Sequence, residues 1–420
     1  MRKQHWAILF VVIVLGGGTL WLLFGRERIE EGRCRLAWRE VPSNSQLTGL
    51  AIQILQPLTA KPEGVRDLPE GFDRPCYYEI NSGNRRIPLV LSLSERPRLC
   101  LDADGNGELS QERSWGATLI REGKDFGNTW RFGPISPISQ DSSGEAESGF
   151  YVDCFQVSAP APLFTRPVSF KTGKLRLAGR TYRVAVVDGD CDGRFRSLLS
   201  LPLDRAWRLP ECDVFAIDWT RDGEFGFSPF GGSEVVPLGH LIQMANTYYA
   251  LDIAPDGTSL TLTATKPEFG TLVIEPNGPT VGLKLWSDAA DQYLQGRQWQ
   301  LPAGKYKAIH ATLETRDTSG DVWSFSSNLS SAFTRLGVLE FFEIRPGETT
   351  TIRIGSPFVV KAEVQKMSAG MVSIDAVLVG YAGEQYQAGF QRNGKRAPEP
   401  TFQIVDEKGR VLVADKFQYG

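Results

Sequence analysis

Three acidic segments of the chain repeat the same residue types at the same spacing. They are Leu101–Leu109 (LDADGNGEL), Val187–Phe195 (VDGDCDGRF) and Ile217–Phe225 (IDWTRDGEF). Each begins with an apolar residue and Asp, continues with oxygen-bearing side chains at alternate positions, and then has a glycine two residues before a second apolar residue. A hard divalent cation takes six to eight oxygen ligands at about 2.3–2.6 Å. The spacing therefore predicts three cation-binding loops.

The candidate ligands follow from position in the loop, counted from the first Asp as position 1. Positions 1, 3 and 5 offer side-chain oxygens and position 7 offers a backbone carbonyl, while an acid outside the repeat is expected to help close the first two sites. The candidates of the first loop are Asp102, Asp104, Asn106, Glu108 and Glu112, those of the second are Asp188, Asp190, Asp192, Arg194 and Asp213, and those of the third are Asp218, Thr220, Asp222 and Glu224. Glycine at position 6 tolerates the positive φ that the sharp turn needs.

The pattern resembles the calcium loop of EF-hand and dockerin-type proteins, and this resemblance implies calcium as the bound ion. Two features depart from that family. Its glutamate at position 12 is replaced by Arg113, Leu199 and Pro229. The segments Tyr182–Val187 and Val214–Ile217, which precede the second and third loops, have the composition of strands and not of helices. We therefore expect EF-hand-like calcium loops on a β scaffold.

A metal-free interpretation stays open beside the calcium one. Asp-Gly pairs are common in hairpin turns that bind no ion. Three copies in the same register favour calcium in the loops that begin at Asp102 and Asp188. In the loop that begins at Asp218, Thr220 offers a hydroxyl in place of a carboxylate, so the two interpretations are balanced there.

The rest of the chain has the pattern of an all-β protein. Short alternating or β-branched segments recur between Gly, Pro, Asn and Asp, namely Ile87–Leu93, Tyr182–Val187, Leu260–Thr265, Thr271–Glu275, Thr350–Ile354 and Met371–Val379. The predicted fold is an N-terminal transmembrane helix followed by two or three antiparallel β-sandwich-like domains. Ser110–Trp115 and Leu238–Asn246 are modest candidates for further helices.

We expect four regions along the chain: a membrane anchor over residues 1–30, a β-domain with the three loops over 31–237, an immunoglobulin-like β-sandwich over 238–355, and a C-terminal β-domain over 356–420. The segments Leu301–Tyr306 (LPAGKY) and Arg345–Thr351 (RPGETTT) resemble turn-then-strand pieces of bacterial immunoglobulin-like and carboxypeptidase-regulatory-like sandwiches. Ser139–Ser148 (SQDSSGEAES) is expected to be an exposed loop within the first β-domain.

The N-terminal segment Trp6–Phe24 is almost wholly apolar and lies between the basic residues Arg2, Lys3 and Arg26. About 20 residues at about 1.5 Å each match the hydrocarbon thickness of a bilayer. The segment therefore predicts a single-pass anchor in the lipid bilayer, with the body outside the cytoplasm. A cleaved signal peptide ending near Gly16–Gly18 stays open as the alternative.

Six cysteines follow the anchor, and an even number outside the cytoplasm permits disulfides. Cys191 lies in the second loop and Cys212 shortly precedes the strand that enters the third. If those two strands are neighbours, these cysteines form the candidate pair.

Composition and motifs limit the classes of function. Lys and Arg number 46 against 49 Asp and Glu, a net charge of −3, which excludes a broad basic surface for nucleic acid. No serine-hydrolase, zinc-protease or phosphate-loop motif occurs. The chain resembles membrane-anchored exported β-proteins of bacterial type.

The predicted function is therefore that of a non-catalytic, membrane-anchored extracytoplasmic calcium-binding protein. Its role would be binding or structural, with a cell-envelope or extracellular partner, and its oligomeric state is left open. The alternative is an exported, calcium-stabilised hydrolase acting on glycans. Glycosidases need two carboxylates, and Glu384 is a single acid for which the sequence identifies no partner.

Overall fold

The computed structural model describes residues 31–41, 47, 50–82, 85–94, 96–122, 128–136, 149–155, 161–201, 211–228, 233–244, 247–275, 280–328, 336–366, 372–386 and 388–417. Over these ranges the protein is all-β, with short 3₁₀ turns and no α-helix. The predicted anchor Trp6–Phe24 and the predicted loop Ser139–Ser148 lie outside them. No helix within the same ranges is long and apolar enough to cross a membrane.

The first half of the chain forms short strands that bound the acidic loops. They are β1 (Arg33–Arg35), β2 (Ala37–Glu40), β3 (Ile54–Leu55), β4 (Pro75–Ser82), β5 (Arg85–Ser92), β6 (Arg98–Leu101), β7 (Ser114–Gly116), β8 (Thr118–Arg121), β9 (Thr129–Ile135), β10 (Phe150–Phe155), β11 (Leu163–Pro167), β12 (Ser169–Leu177), β13 (Arg180–Val187), β14 (Val214–Ile217) and β15 (Val235–Pro237).

The second half continues the same architecture with longer hairpins. Its strands are β16 (Leu241–Met244), β17 (Thr247–Ile253), β18 (Ser259–Thr265), β19 (Phe269–Ile274), β20 (Thr280–Ser287), β21 (Gln292–Gly296), β22 (Gln298–Pro302), β23 (Gly304–Arg316), β24 (Val322–Asn328), β25 (Phe342–Ile344), β26 (Thr349–Ile352), β27 (Val359–Lys366), β28 (Val372–Val379), β29 (Gln385–Tyr386), β30 (Ala388–Arg392), β31 (Lys395–Arg396), β32 (Thr401–Val405) and β33 (Val411–Lys416). The 3₁₀ turns are Leu109–Gln111 and Gly337–Glu340.

The sheet β2-β12-β13-β14-β15 carries the second and third loops, and its strand β14 is buried on both faces. Successive residues of a strand point to opposite faces. In β14, Val214 and Ala216 therefore join one core, and Phe215 and Ile217 join the other. The second of these cores is shared with the sheet β1-β18-β17-β16. Burial on both faces holds the two loops on a rigid support.

Two further cores complete the sandwich-like layers. The sheets β4-β5-β6-β7 and β3-β11-β10-β9-β8 enclose one core that includes Tyr78, Leu89 and Phe132. The sheet β22-β19-β26 and the large sheet built around β20, β23 and β24 enclose the other, which includes Tyr306 and Tyr386.

Strand pairings connect the predicted regions. β1 is antiparallel to β18, so Cys34 lies opposite Leu260. β24 is antiparallel to β30, so Trp323 lies opposite Arg392. These pairs join strands from either side of the predicted domain boundaries at residues 237 and 355. The boundaries themselves stay predictions.

The six predicted strands correspond to β5, β13, β18, β19, β26 and β28, whereas the two predicted helices are wrong. Ser110–Trp115 divides between a 3₁₀ turn and β7, and Leu238–Asn246 contains β16. β16 satisfies its backbone by pairing with β17, where Ile242 lies opposite Tyr249. The buried Ile242 belongs to the core beneath this hairpin. The apolar residues of β16 therefore pack as part of a sheet and not as one face of a helix.

The predicted bridge between Cys191 and Cys212 is wrong, because all six cysteines are free thiols. The backbones approach closely, since a Cβ added at Gly189 would lie 2.0 Å from the carbonyl oxygen of Cys212. The side chains diverge, however. Cys191 packs in the core with Phe132, and Cys212 packs in the core with Val214.

Candidate metal centres

Strand ends position all three acidic loops. The first follows β6, the second follows β13 and the third follows β14. β13 and β14 are antiparallel, with Val187 opposite Val214. This register brings Asp188, just after β13, to the same sheet end as Asp213, just before β14. The third loop consequently starts at the opposite end of β14.

The three loops share one backbone conformation. Positions 4 and 6 lie in the left-handed region in every copy. The φ values at position 4 are +78° for Gly105, +60° for Cys191 and +60° for Arg221, and those at position 6 are +79° for Gly107, +77° for Gly193 and +90° for Gly223. Non-glycine residues rarely adopt this region, so its recurrence at position 4 shows that the loops have the same fold and not only the same composition.

The loops also share two internal hydrogen bonds. The position 6 amide donates to the position 1 carboxylate, at 3.2 Å for Gly107 to Asp102, 2.8 Å for Gly193 to Asp188 and 3.0 Å for Gly223 to Asp218. The position 7 amide donates to the position 5 side chain, at 2.6 Å for Glu108 to Asn106, 2.7 Å for Arg194 to Asp192 and 2.8 Å for Glu224 to Asp222. The apolar residues at position 8, Leu109, Phe195 and Phe225, are all buried.

Each loop gathers three carboxylates whose oxygens lie within 4.8 Å of one another. The groups are Asp102, Asp104 and Glu112; Asp188, Asp190 and Asp213; and Asp218, Asp222 and Glu234. The structure thus places Glu112 and Asp213, the expected closing acids, beside their loops. Of the other candidates, Asn106, Asp192 and Thr220 are held in hydrogen bonds inside the loops, and Glu108, Arg194 and Glu224 donate their amides as described.

The second cluster is the most enclosed. Asp190 and Asp213 are 4% and 0% exposed. Asp213 accepts from the amides of Gly189 and Ser197 at 3.1 and 2.8 Å. Oδ2 of Asp190 accepts from the Ser197 hydroxyl at 2.7 Å, but its Oδ1 is buried and has no hydrogen-bond partner among the residues that the structure describes. A buried acceptor without a partner is costly, so a proton or a cation at this oxygen would be stabilising.

Burial and mutual repulsion dominate the electrostatics of the second cluster. Burial, followed by the charges of Asp190 and Asp192, raises the pKa of Asp188 well above its usual range. Burial, followed by Asp190 and Asp188, does the same to the pKa of Asp213. Burial and Asp190 raise the pKa of Asp192 to about 6. The cluster therefore needs either protons or a cation to neutralise it.

The first cluster is more open. Asp104 is exposed, Glu112 is half-buried, and the two are joined by the bond from the Asp104 amide to Glu112, at 3.3 Å. Arg85 lines the same open basin of about 600 Å³ and supplies a positive charge near the carboxylates. The carbonyl of Glu108, the expected position 7 ligand, accepts from the amide of Gln111 at 3.2 Å. A cation in this loop would have to compete with Arg85 for the carboxylates and with the amide of Gln111 for the carbonyl of Glu108.

The third cluster is closed by Glu234, which the sequence analysis did not identify. Ala216 lies opposite Val235 in the β14–β15 pair, and this register carries Glu234 to the start of the loop. Glu234 accepts from the amides of Thr220 and Gly226, each at 2.9 Å. The available signal was an acid immediately before Val235–Pro237, the strand that returns after the loop in the same hairpin. The sequence does not reveal the register between β14 and β15, and this register brings Glu234 beside the loop.

Glu384, the acid considered for glycan hydrolysis, is fully buried. It accepts from the amides of Gly355 and Ala382 at 2.6 and 2.9 Å and from the hydroxyl of Tyr386 at 3.1 Å. These bonds hold a chain reversal near the end of β28, which is the arrangement of a structural acceptor.

The chain matches no protein-family model, no curated protein and no solved structure.

Proposed function

We propose that this chain is a non-catalytic calcium-binding protein whose ions brace the loops between its β-sheets. The unpaired, buried Oδ1 of Asp190, in a cluster with Asp188 and Asp213, carries this proposal. Carboxylates in a low-dielectric site repel strongly unless a cation neutralises them. A dication at their centre would also give Oδ1 of Asp190 the partner that it lacks.

The donor chemistry favours calcium over other common cations. All the gathered groups are carboxylates, and oxygen ligands suit calcium and magnesium, whereas zinc prefers nitrogen and sulfur. Burial raises the pKa of Cys191 well above its usual range, so this loop thiol remains protonated and is a poor ligand. Magnesium demands near-ideal octahedral geometry, while the cluster takes its acids from two strand ends of fixed spacing.

We infer an order among the three sites. The second is the one cluster of the three without an exposed carboxylate and is expected to bind most tightly. The first is partly neutralised by Arg85 and partly open to water. In the third, Glu234 replaces the carboxylate that Thr220 does not supply, so this site is a stronger candidate than its sequence suggests.

The proposed role is structural or binding, outside the cytoplasm and on the membrane. Its support is the apolar length of Trp6–Phe24 and the calcium concentration that extracellular modules use, about 10⁻⁴–10⁻³ M. The sandwich-like layers, with immunoglobulin-like character expected over 238–355, would present a surface to an envelope partner. Retention of the full chain in membranes after an alkaline carbonate wash tests the anchor, and an N-terminus beginning near Gly18 would contradict it.

Thermal unfolding of the full-length protein tests calcium binding. An ion that binds only the folded state adds about 2.7 kcal/mol at a hundredfold excess over Kd. Calcium should therefore raise the Tm, and magnesium should raise it less. Asp190→Asn should remove most of the calcium-dependent rise but should not lower the Tm in chelator, because it deletes a buried repelling charge.

The matched control is Asp252→Asn, an exposed aspartate outside the clusters. It should keep the full calcium response. If calcium and chelator give the same Tm in the unmodified protein, the metal-free turn interpretation is correct.

A further inference from the structure

A cavity of about 310 Å³ lies where three sheets meet, beside the third acidic loop, from which Trp219 and the closing acid Glu234 line it. Its walls come from β14 and β15, from β16 and β17, and from β20 and β21. Its apolar lining comes from Phe215, Ile217, Val236, Leu241, Ile242 and Leu251, and polar groups make up about half of its surface. Ligand sites are typically concave pockets of about 300 Å³ or more, in which a few polar groups orient the ligand. The volume of this one suits a single ring with a short side chain.

A buried ion pair forms the polar part of the cavity wall. Lys284, which is 3% exposed, donates to Oδ2 of Asp291. The other carboxylate oxygen, Oδ1 of Asp291, is buried and has no partner within the described part of the chain. An acceptor in this state gains most from a ligand that brings a hydrogen-bond donor.

The charges around the cavity select the sign of the ligand. Glu234 and Asp291 contribute two carboxylates, and Lys284 contributes one ammonium group that already bonds Asp291. Without calcium at the third cluster, an anionic ligand would meet a net negative lining, whereas a cation would be attracted. Trp219 and Tyr293 add aromatic faces, which also favour a cation. Tyr293 is 40% exposed, so it lies at the opening to solvent.

We propose that this cavity binds a small primary amine with an aromatic or branched aliphatic body. The ammonium group bonds Oδ1 of Asp291, and the body packs against Phe215, Ile242 and Leu251. The site goes beyond the proposed calcium function. It borders the third cluster through Trp219 and Glu234, but the groups proposed to hold the ligand lie outside the acidic loops.

Three probes of matched shape test the ligand class on the full-length protein: 2-phenylethylamine, 2-phenylethanol and 3-phenylpropanoate. Binding is measured by calorimetric titration and by saturation-transfer NMR, once in calcium and once in chelator. The amine should bind saturably in both, and the alcohol about tenfold or more weakly because it lacks the charge-assisted bond. The proposal is overturned if the amine does not bind, or if the alcohol or the propanoate binds equally well.

Two variants locate the binding. Asp291→Asn should weaken amine binding about tenfold or more. Because this change also removes the partner of buried Lys284, Leu251→Trp provides a second test that fills the cavity without touching the ion pair. Leu119→Trp, at a 37% exposed position outside the cavity, is its matched control. Unchanged amine binding by a folded Leu251→Trp protein would contradict the assignment.

Discussion

Asp190 and Asp192 show how one loop can hold more negative charge than it neutralises by itself. Both raise the pKa values of their neighbours, and Asp190 keeps one oxygen without a partner. Protons and calcium are the two agents that can neutralise this cluster. They compete, because metal ligands must be deprotonated. The pH dependence of stability therefore distinguishes the two states.

The metal-free protein should lose stability as the pH rises through the second cluster's pKa values. The pKa of Asp192 is raised from 3.8 to about 6. The folded state thus holds more protons than the unfolded state between these values, and the free energy of unfolding falls as the pH rises through that window. In chelator, the Tm of Asp192→Asn should fall less between pH 4 and 7 than that of the unmodified protein.

Comparing the two proteins cancels the titration of carboxylates elsewhere in the chain. In excess calcium the Tm of the unmodified protein should fall with pH no more steeply than that of Asp192→Asn, because calcium replaces the protons. Parallel Tm curves for the two proteins in chelator would show that Asp192 does not titrate in this window.

Individual loops depend on strand ends and glycines to different degrees. Gly107 has φ +79°, and a Cβ there would lie 2.0 Å from the carbonyl oxygen of Gly64. Gly223 has φ +90°, but a Cβ there would meet nothing within 4 Å. The first loop is therefore wedged against a neighbouring segment, and the third is free on that side.

Alanine substitutions should separate strain from steric conflict. Gly223→Ala should lower the free energy of unfolding by about 1–2 kcal/mol, because a non-glycine residue is strained in the left-handed region. Gly107→Ala adds a backbone clash and should cost about 3 kcal/mol or more. Chemical denaturation in chelator measures both. Equal costs would mean that the segment at Gly64 is not packed on the first loop.

The third loop offers a test of its closing acid. Tb³⁺ occupies calcium sites and luminesces when an excited indole is close, and Trp219 is at position 2 of this loop. Glu234→Gln should weaken the terbium signal about tenfold or more, because a charged ligand is lost. Glu224→Gln should leave it unchanged, since position 7 would contribute only its backbone carbonyl. Equal effects of the two variants would remove Glu234 from the site.

The sequence predicted the loops because their signal is local: alternating oxygens, a glycine and an apolar anchor within nine residues. It also predicted the strands that precede the second and third loops, but not β6, which precedes the first. It missed Glu234, whose position depends on the register between β14 and β15. It wrongly paired Cys191 with Cys212, because backbone proximity does not determine which core a side chain enters.

Across the whole molecule, calcium would reinforce a junction that strand pairing and loop hydrogen bonds already form between β13 and β14. Asp188 and Asp213 come from two strand ends, and Gly189 contacts the backbone of Cys212. A cation there would join the segment after β13 to the segment before β14. Because β14 also leads into the third loop, two of the three proposed sites would brace the same sheet.

The most direct test of the calcium account is a crystal structure of the protein grown in calcium, with anomalous diffraction data. We predict an anomalous peak between Asp188, Asp190 and Asp213, with six to eight oxygens at about 2.3–2.6 Å, one of them Oδ1 of Asp190. A water or an empty site there, with the carboxyl groups sharing protons, would contradict the account.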